Sequence, residues 1–168
     1  NIEVEFFRTT HSIPDSHGIV VSTPNGRIVT TGDFKFDFTP IGPMADLHKM
    51  AEIGKKGVDL LLSDSTNALN EGISISETKV DNALNEIFDK HEHSRIIIAT
   101  FASNVDRVQQ VINSAYKNGR KVVVEGRSMV NTIAIAQELG YISIPDNTLI
   151  DIEQLKNYSD ERSVLITK

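Results

Sequence analysis

From Val58 onward the chain alternates short continuous apolar runs with stretches in which apolar residues recur every three or four positions. Val58 to Leu62, Arg95 to Ala99 and Lys121 to Val124 are of the first kind and read as buried parallel strands. Between them, Val80, Ala83, Leu84, Ile87 and Phe88 form one helical stripe, and Val105, Val108, Ile112, Ala115 and Tyr116 form another. Ser74 and Glu77 have capping-box spacing, Ser103 or Asn104 stands at an N-cap position, and Gly119 stops the second helix. Ser128 is expected to cap a third helix that ends at Gly140. Leu149–Ile150 and Val164–Ile166 read as later strands, with a short helix over 152–157 between them. Such alternation predicts an α/β fold in which a parallel sheet is flanked by helices.

The first part of the chain follows a different rule. Residues 2–7 alternate as a strand, and Ile19-Val20-Val21 and Arg27-Ile28-Val29 flank Pro24-Asn25-Gly26, where Asn-Gly signals a hairpin. Thr39-Pro40-Ile41-Gly42-Pro43 breaks regular structure, and Leu47, Met50, Ala51 and Ile53 then give a short helix ending at Gly54 or Gly57. The strand-like runs carry two polar segments to one sheet edge: His11-Ser12-Ile13-Pro14-Asp15-Ser16-His17-Gly18 and Thr31-Gly32-Asp33-Phe34-Lys35-Phe36-Asp37. A neutral imidazole and a carboxylate suit a borderline cation such as zinc, although this spacing alone also fits a turn-forming aspartate and a packed histidine. Leu62-Ser63-Asp64-Ser65-Thr66-Asn67 places a third acidic residue after a strand.

Taken together, these segments resemble the ribonuclease J family of the metallo-β-lactamase/β-CASP nucleases. Ala99-Thr100-Phe101-Ala102-Ser103-Asn104-Val105-Asp106-Arg107 and Val124-Glu125-Gly126-Arg127-Ser128 resemble β-CASP segments in the same order, so the likeness covers essentially the whole chain. It implies the second half of an αββα metallo-β-lactamase domain over residues 1–72, then most of a β-CASP domain over 73–168. It further implies two zinc ions, with His11 a ligand, Asp33 bridging the ions and Asp64 orienting groups or accepting a proton. Ser103, Asn104, Arg107, Arg127 and Ser128 would line a path for single-stranded RNA, cut internally or trimmed from a 5′ end. His17 falls outside the implied ligand set, Asp37 reads as structural, and His48, His91 and His93 carry no role. The family's His-x-His-x-Asp-His string is absent, as are its later histidines. Both ends therefore read as cuts, and the piece by itself is expected to bind metal poorly and to be inactive, because catalytic zinc sites need three protein ligands plus water.

Composition bounds these readings. The chain has 168 residues, 39% hydrophobic and 24% charged, as in globular proteins. It contains no cysteine, which excludes disulfides and thiolate metal sites. No apolar run approaches the ~20 residues of a membrane span, and a cytoplasmic protein is expected. The net charge of −6 excludes a generally basic surface, so RNA would need a local stripe. Arg95, Arg107, Arg120, Lys121 and Arg127 are the candidates, with Arg107 and Arg127 favoured because they follow strand-end turns. The resemblance also implies a homodimer or homotetramer, or assembly with a paralogous subunit. Two other readings stand beside it: a different hydrolase of the metallo-β-lactamase fold, or a non-catalytic paralogue in an RNA-degradation complex.

Overall fold

The computed structural model describes residues 1–168, which divide into two compact units, Asn1–Thr78 and Lys79–Lys168. In the first unit β1 (Glu3–Arg8), β2 (His17–Thr23), β3 (Gly26–Thr30) and β4 (Leu60–Leu62) form one sheet in that order. The first three pair antiparallel and β4 joins β3 in parallel. The hairpin forms where Asn-Gly signals it, but with a different turn. Thr23 pairs with Gly26, which leaves Pro24 and Asn25 as the turn residues. The proline ring holds φ negative, so the usual mirror-image hairpin turn is closed to this loop. Gly26 instead opens the next strand at φ 148°, where a Cβ would come within 3.0 Å of the Asp59 carboxylate. That carboxylate accepts the Arg27 N–H at 2.7 Å.

Helix α1 (Leu47–Lys56) starts at Asp46, whose side chain accepts the Lys49 N–H at 2.9 Å, and it stops at Gly57 with φ 88°. Its Ile53 packs with Phe7, Val20 and Val29 as the core of this unit, with Met50 beside them. A cavity of about 500 Å³ remains between sheet and helix, lined by Phe7, Val29, Met50, Ile53 and Leu61 among others. The opposite sheet face leaves Val4, Phe6, Ile28, Leu60 and Leu62 exposed. This corrects the expectation of a buried strand at Val58–Leu62. An unbroken apolar run implies burial only where both sheet faces are covered, and β4 is a three-residue edge strand with all of its leucines exposed.

The second unit is the expected α/β pattern: α2 (Glu77–Lys90, entering from the first unit), β5 (Ile96–Ala99), α3 (Val105–Lys117), β6 (Lys121–Val124), α4 (Arg127–Glu138), β7 (Leu149–Ile150) and β8 (Ser163–Thr167). All pairings are parallel and the order is β5-β8-β6-β7. The final strand thus enters the middle, and its Val164 and Ile166 are fully buried. Ile96, Val122, Val164 and Ile166 share one face with Leu84 and Phe88 of α2, Val108 and Ile112 of α3, and Met129 and Ile133 of α4. The segment over 152–157 is a 3-10 helix. β5 is an edge strand with Ile97 exposed, and the stripe residues Ile87 and Tyr116 also face out.

Two caps differ from expectation. Helix α4 begins at Arg127 behind Gly126, with no side-chain cap, so Ser128 lies inside the helix. Helix α2 is not capped by Ser74. Ser76 Oγ accepts the Thr78 N–H at 3.2 Å, and the carboxylate of Asp37 accepts the Glu77 N–H at 2.8 Å. A residue forty positions upstream does the work of the local cap.

Phe7 and Gly18 are direct cross-strand partners, and the Phe7 ring lies over the glycine. A Cβ at Gly18 would meet the ring at 2.1 Å. Gly18→Ala should therefore lose about 1–3 kcal/mol by displacing a core ring, and adding Phe7→Leu should recover part of the loss beyond additivity in urea denaturation. Unchanged stability in the single variant would contradict this packing.

Candidate metal centre and strand-end surface

Because β1 and β3 both run antiparallel to β2, and β4 runs parallel to β3, the strands β1, β3 and β4 all end at one edge of the sheet. His11, Asp33 and Asp64 follow those three ends. Thr9 N–H donates to Ser16 O at 2.9 Å and closes the loop that carries His11. Gly32, at φ 58°, turns the chain so that Asp33 follows β3 directly. His11 Nε2 then lies 3.8 Å from Asp33 Oδ2, with the histidine side chain 29% and the aspartate 77% exposed. The two segments are joined outside the sheet ladder by the Lys35 N–H, which donates to Thr10 O at 2.7 Å, and by the Thr10 hydroxyl, which donates to Lys35 O.

Asp64 is brought in by the parallel pairing. Thr31 N–H continues the ladder to Leu62 O at 3.0 Å, and the Thr31 hydroxyl accepts the Asp64 N–H at 3.0 Å. The Asp64 carboxylate accepts from the Thr66 N–H at 2.9 Å and the Thr66 hydroxyl at 2.7 Å. These bonds from Thr66 hold it below its ordinary pKa, against a small opposing effect of burial, with the Phe34 N–H and the charge of His11 adding to the shift. It is an anion at neutral pH and acts as a hydrogen-bond acceptor.

The donor set fits a zinc ion in part. One imidazole nitrogen and one carboxylate oxygen 3.8 Å apart can both approach an ion at about 2.0–2.2 Å. No group of three histidine, cysteine, aspartate or glutamate side chains converges in the chain, so the pair supplies two donors of a larger sphere. His17 lies apart from it: its Nδ1 meets Asp15 O at 2.7 Å and its ring meets the edge of Phe6. His48 is an exposed partner of Glu52 at 3.1 Å.

The loop after Asp33 is anchored by charge. Lys35 Nζ meets Glu77 at 2.9 Å and Asp37 at 3.6 Å. Asp37 is buried, which by itself raises its pKa, but the Glu77 and Thr39 N–H groups, Ser76 and Lys35 outweigh that and leave it below 3.8. The structural reading of Asp37 agrees with these contacts. Lys35, Thr10 and Thr31 join this site without being marked as candidates by the sequence; the alternation of charge and aromatic in Asp33-Phe34-Lys35-Phe36-Asp37 is a signal for the first, and no local pattern marks the threonines.

In the second unit the parallel sheet brings the starts of α3 and α4 to its carboxyl edge, on either side of the end of β8. Ser103 is exposed, and Asn104 caps α3 by accepting the Arg107 N–H at 3.1 Å. Arg107 is half-buried and donates to Gln110 at 2.8 Å. Arg127 and Ser128 stand exposed in the uncapped first turn of α4. The remaining basic candidates are committed elsewhere. Arg120 is buried over the Phe88 ring and donates to Ser94 O at 2.8 Å and His91 O at 2.6 Å, so it closes the end of α2 and cannot join a surface stripe. Arg95 pairs with Asp160 at 2.8 Å and Lys121 donates to Asn147 O. Phe101, 74% exposed after β5, is an aromatic at this edge.

Residues 93–168 match the family model described as Ribonuclease J, beta-CASP domain. The chain is similar to Ribonuclease J 1 of Streptococcus pyogenes, 52% identical over 94% of this chain and 28% of that protein. It is likewise similar to Ribonuclease J of a Synechocystis species (48%, over 98% and 26%) and to Ribonuclease J2 of Bacillus subtilis (44%, over 98% and 30%). The chain thus spans under a third of the length of these curated relatives. A crystal structure of a protein of unknown function from Enterococcus faecalis superposes with a TM-score of 0.67 over 99% of this chain and 41% of that one. At 17% identity that likeness is one of fold. No helix is long and apolar enough to cross a membrane.

The Asp37 contacts carry a pH signature. A carboxylate whose folded pKa is depressed contributes stability above its unfolded pKa and loses it as pH falls through the folded value. Asp37→Asn should cost about 1–3 kcal/mol at neutral pH, since its amide would face an N–H donor. The gap from wild type should close as pH drops below 3.8. Denaturation curves from pH 7 to pH 2 test this, and a gap independent of pH would count against the charge.

Proposed function

With residues 93–168 matching the ribonuclease J β-CASP model and the whole chain similar to ribonucleases J, we propose that it forms part of a zinc-dependent ribonuclease. The observation that carries this reading is the meeting of His11 and Asp33 at 3.8 Å, with Asp64 tethered beside them. In this reading the first unit is the second half of an αββα metallo-β-lactamase domain. The apolar sheet face of Val4, Phe6, Ile28, Leu60 and Leu62 supports it, because such a face calls for a second layer. The remaining donors for two ions would then come from outside these residues.

Zinc, when bound, supplies Lewis-acid polarisation of the scissile phosphate and acidifies water. His11 would hold zinc through an imidazole nitrogen, and Asp33 would hold it through its carboxylate, as the ligand shared between the ions. Asp64 stays ionised and accepts hydrogen bonds, which suits orienting a neighbouring donor better than releasing a proton at neutral pH. The substrate is single-stranded RNA, cleaved internally, from the 5′ end, or both, in RNA processing and decay in the cytoplasm. The uncapped start of α4 offers backbone N–H groups to a phosphate, and Arg127 offers its charge. Ser103, Asn104, Arg107 and Ser128 line the same edge, and Phe101 offers a ring face to a base. The protein works as a homodimer or homotetramer, or with a paralogous subunit.

In the full protein, Asp33→Ala and His11→Ala should each abolish cleavage of a labelled RNA while leaving the circular dichroism spectrum and melting curve close to wild type. Undiminished turnover by either variant would remove that residue from the site.

A further inference from the structure

Neither His11 nor Asp33 is held by a hydrogen bond to its own side chain at the strand edge. What fixes one against the other is the backbone on either side. β1 ends at Arg8 and β3 at Thr30, so both residues lie beyond the ladder. Between residues 9–16 and 31–37 the direct bonds are the two that join Thr10 and Lys35: Lys35 N–H to Thr10 O at 2.7 Å, and the Thr10 hydroxyl to Lys35 O. Thr10 immediately precedes His11, and Lys35 lies two residues past Asp33. Thr10 is buried, at 8% exposure, and its hydroxyl has no other partner there. Lys35 is itself held at the far side through Glu77 and Asp37. The clasp therefore transmits a fixed position from the start of α2, through Lys35, to the residue beside His11.

We propose that Thr10 is a positioning residue for the His11–Asp33 pair, acting through its hydroxyl on the Lys35 carbonyl. This rests on the reading of that pair as zinc donors. The backbone bond alone leaves one pivot; the hydroxyl adds a second bond and removes the rotation about it. Losing it leaves the Lys35 carbonyl with only the Asp37 N–H, at 3.1 Å, from its own loop, and lets the two loops separate, which a preorganised site tolerates poorly.

The test uses the full protein stripped of metal, with Thr10→Val, Thr10→Ala, Thr10→Ser and His11→Ala variants. Zinc affinity is read by competition with a chromophoric chelator, and the melting temperature of each metal-free form is read alongside. Thr10→Val and Thr10→Ala should weaken zinc binding by about tenfold and to the same extent, although they differ in volume, while Thr10→Ser restores it. Should the valine variant fail to fold, the alanine and serine variants decide the question. Wild-type affinity in the alanine variant, with His11→Ala weakened, overturns the positioning role and leaves the site intact. Unchanged affinity in His11→Ala removes the site and the positioning role together.

Discussion

Parallel pairing of β4 with β3 is the constraint on which the rest of the first unit depends. It places the end of β4 beside the end of β3, and the shared antiparallel partner β2 places the end of β1 at the same edge. Three residues separated by up to 53 positions in sequence, His11, Asp33 and Asp64, thereby follow three aligned strand ends. A parallel strand needs a long connection, and here that connection is the loop after Asp33 followed by α1. The same connection that makes β4 possible also carries Lys35 and Asp37, which tie the loop down.

Those ties hold Asp33 beside His11 without burying its carboxylate. Asp33 is mostly exposed, so little packing fixes it. The order comes from one step away: Asp37 takes two backbone N–H groups, Lys35 takes Glu77, and Thr10 and Thr31 connect the loop to its neighbours. Buried polar groups are satisfied by bonds that also define geometry. The second unit uses the same economy at its carboxyl edge, where helix starts, rather than side chains alone, present donors.

Much of this was legible in the residues. Helices α1 to α3 and the parallel character of the second sheet follow from the apolar pattern, because burial imposes it, and the hairpin and the end of α4 follow from glycine signals. The meeting of His11 and Asp33 followed from their place at strand ends. What was not legible is non-local. Nothing near Val164 says that β8 enters between β5 and β6, and nothing near Glu77 says that Asp37 caps its helix. Arg120 reads as a surface cation because arginine usually is one, yet Phe88 and two carbonyls at the end of α2 claim it. The leucines of β4 read as buried because an apolar run carries no information about which faces are covered. Asn25-Gly26 announced a hairpin but not its turn, which Pro24 decides.

The zinc site proposed for His11 and Asp33 can be seen by anomalous diffraction at the zinc edge, from crystals of the full protein grown with zinc. A shared ion would give an anomalous peak within bonding distance, about 2.0–2.2 Å, of both His11 Nε2 and an Asp33 carboxylate oxygen. Peaks that engage other residues and leave this pair without metal would contradict it.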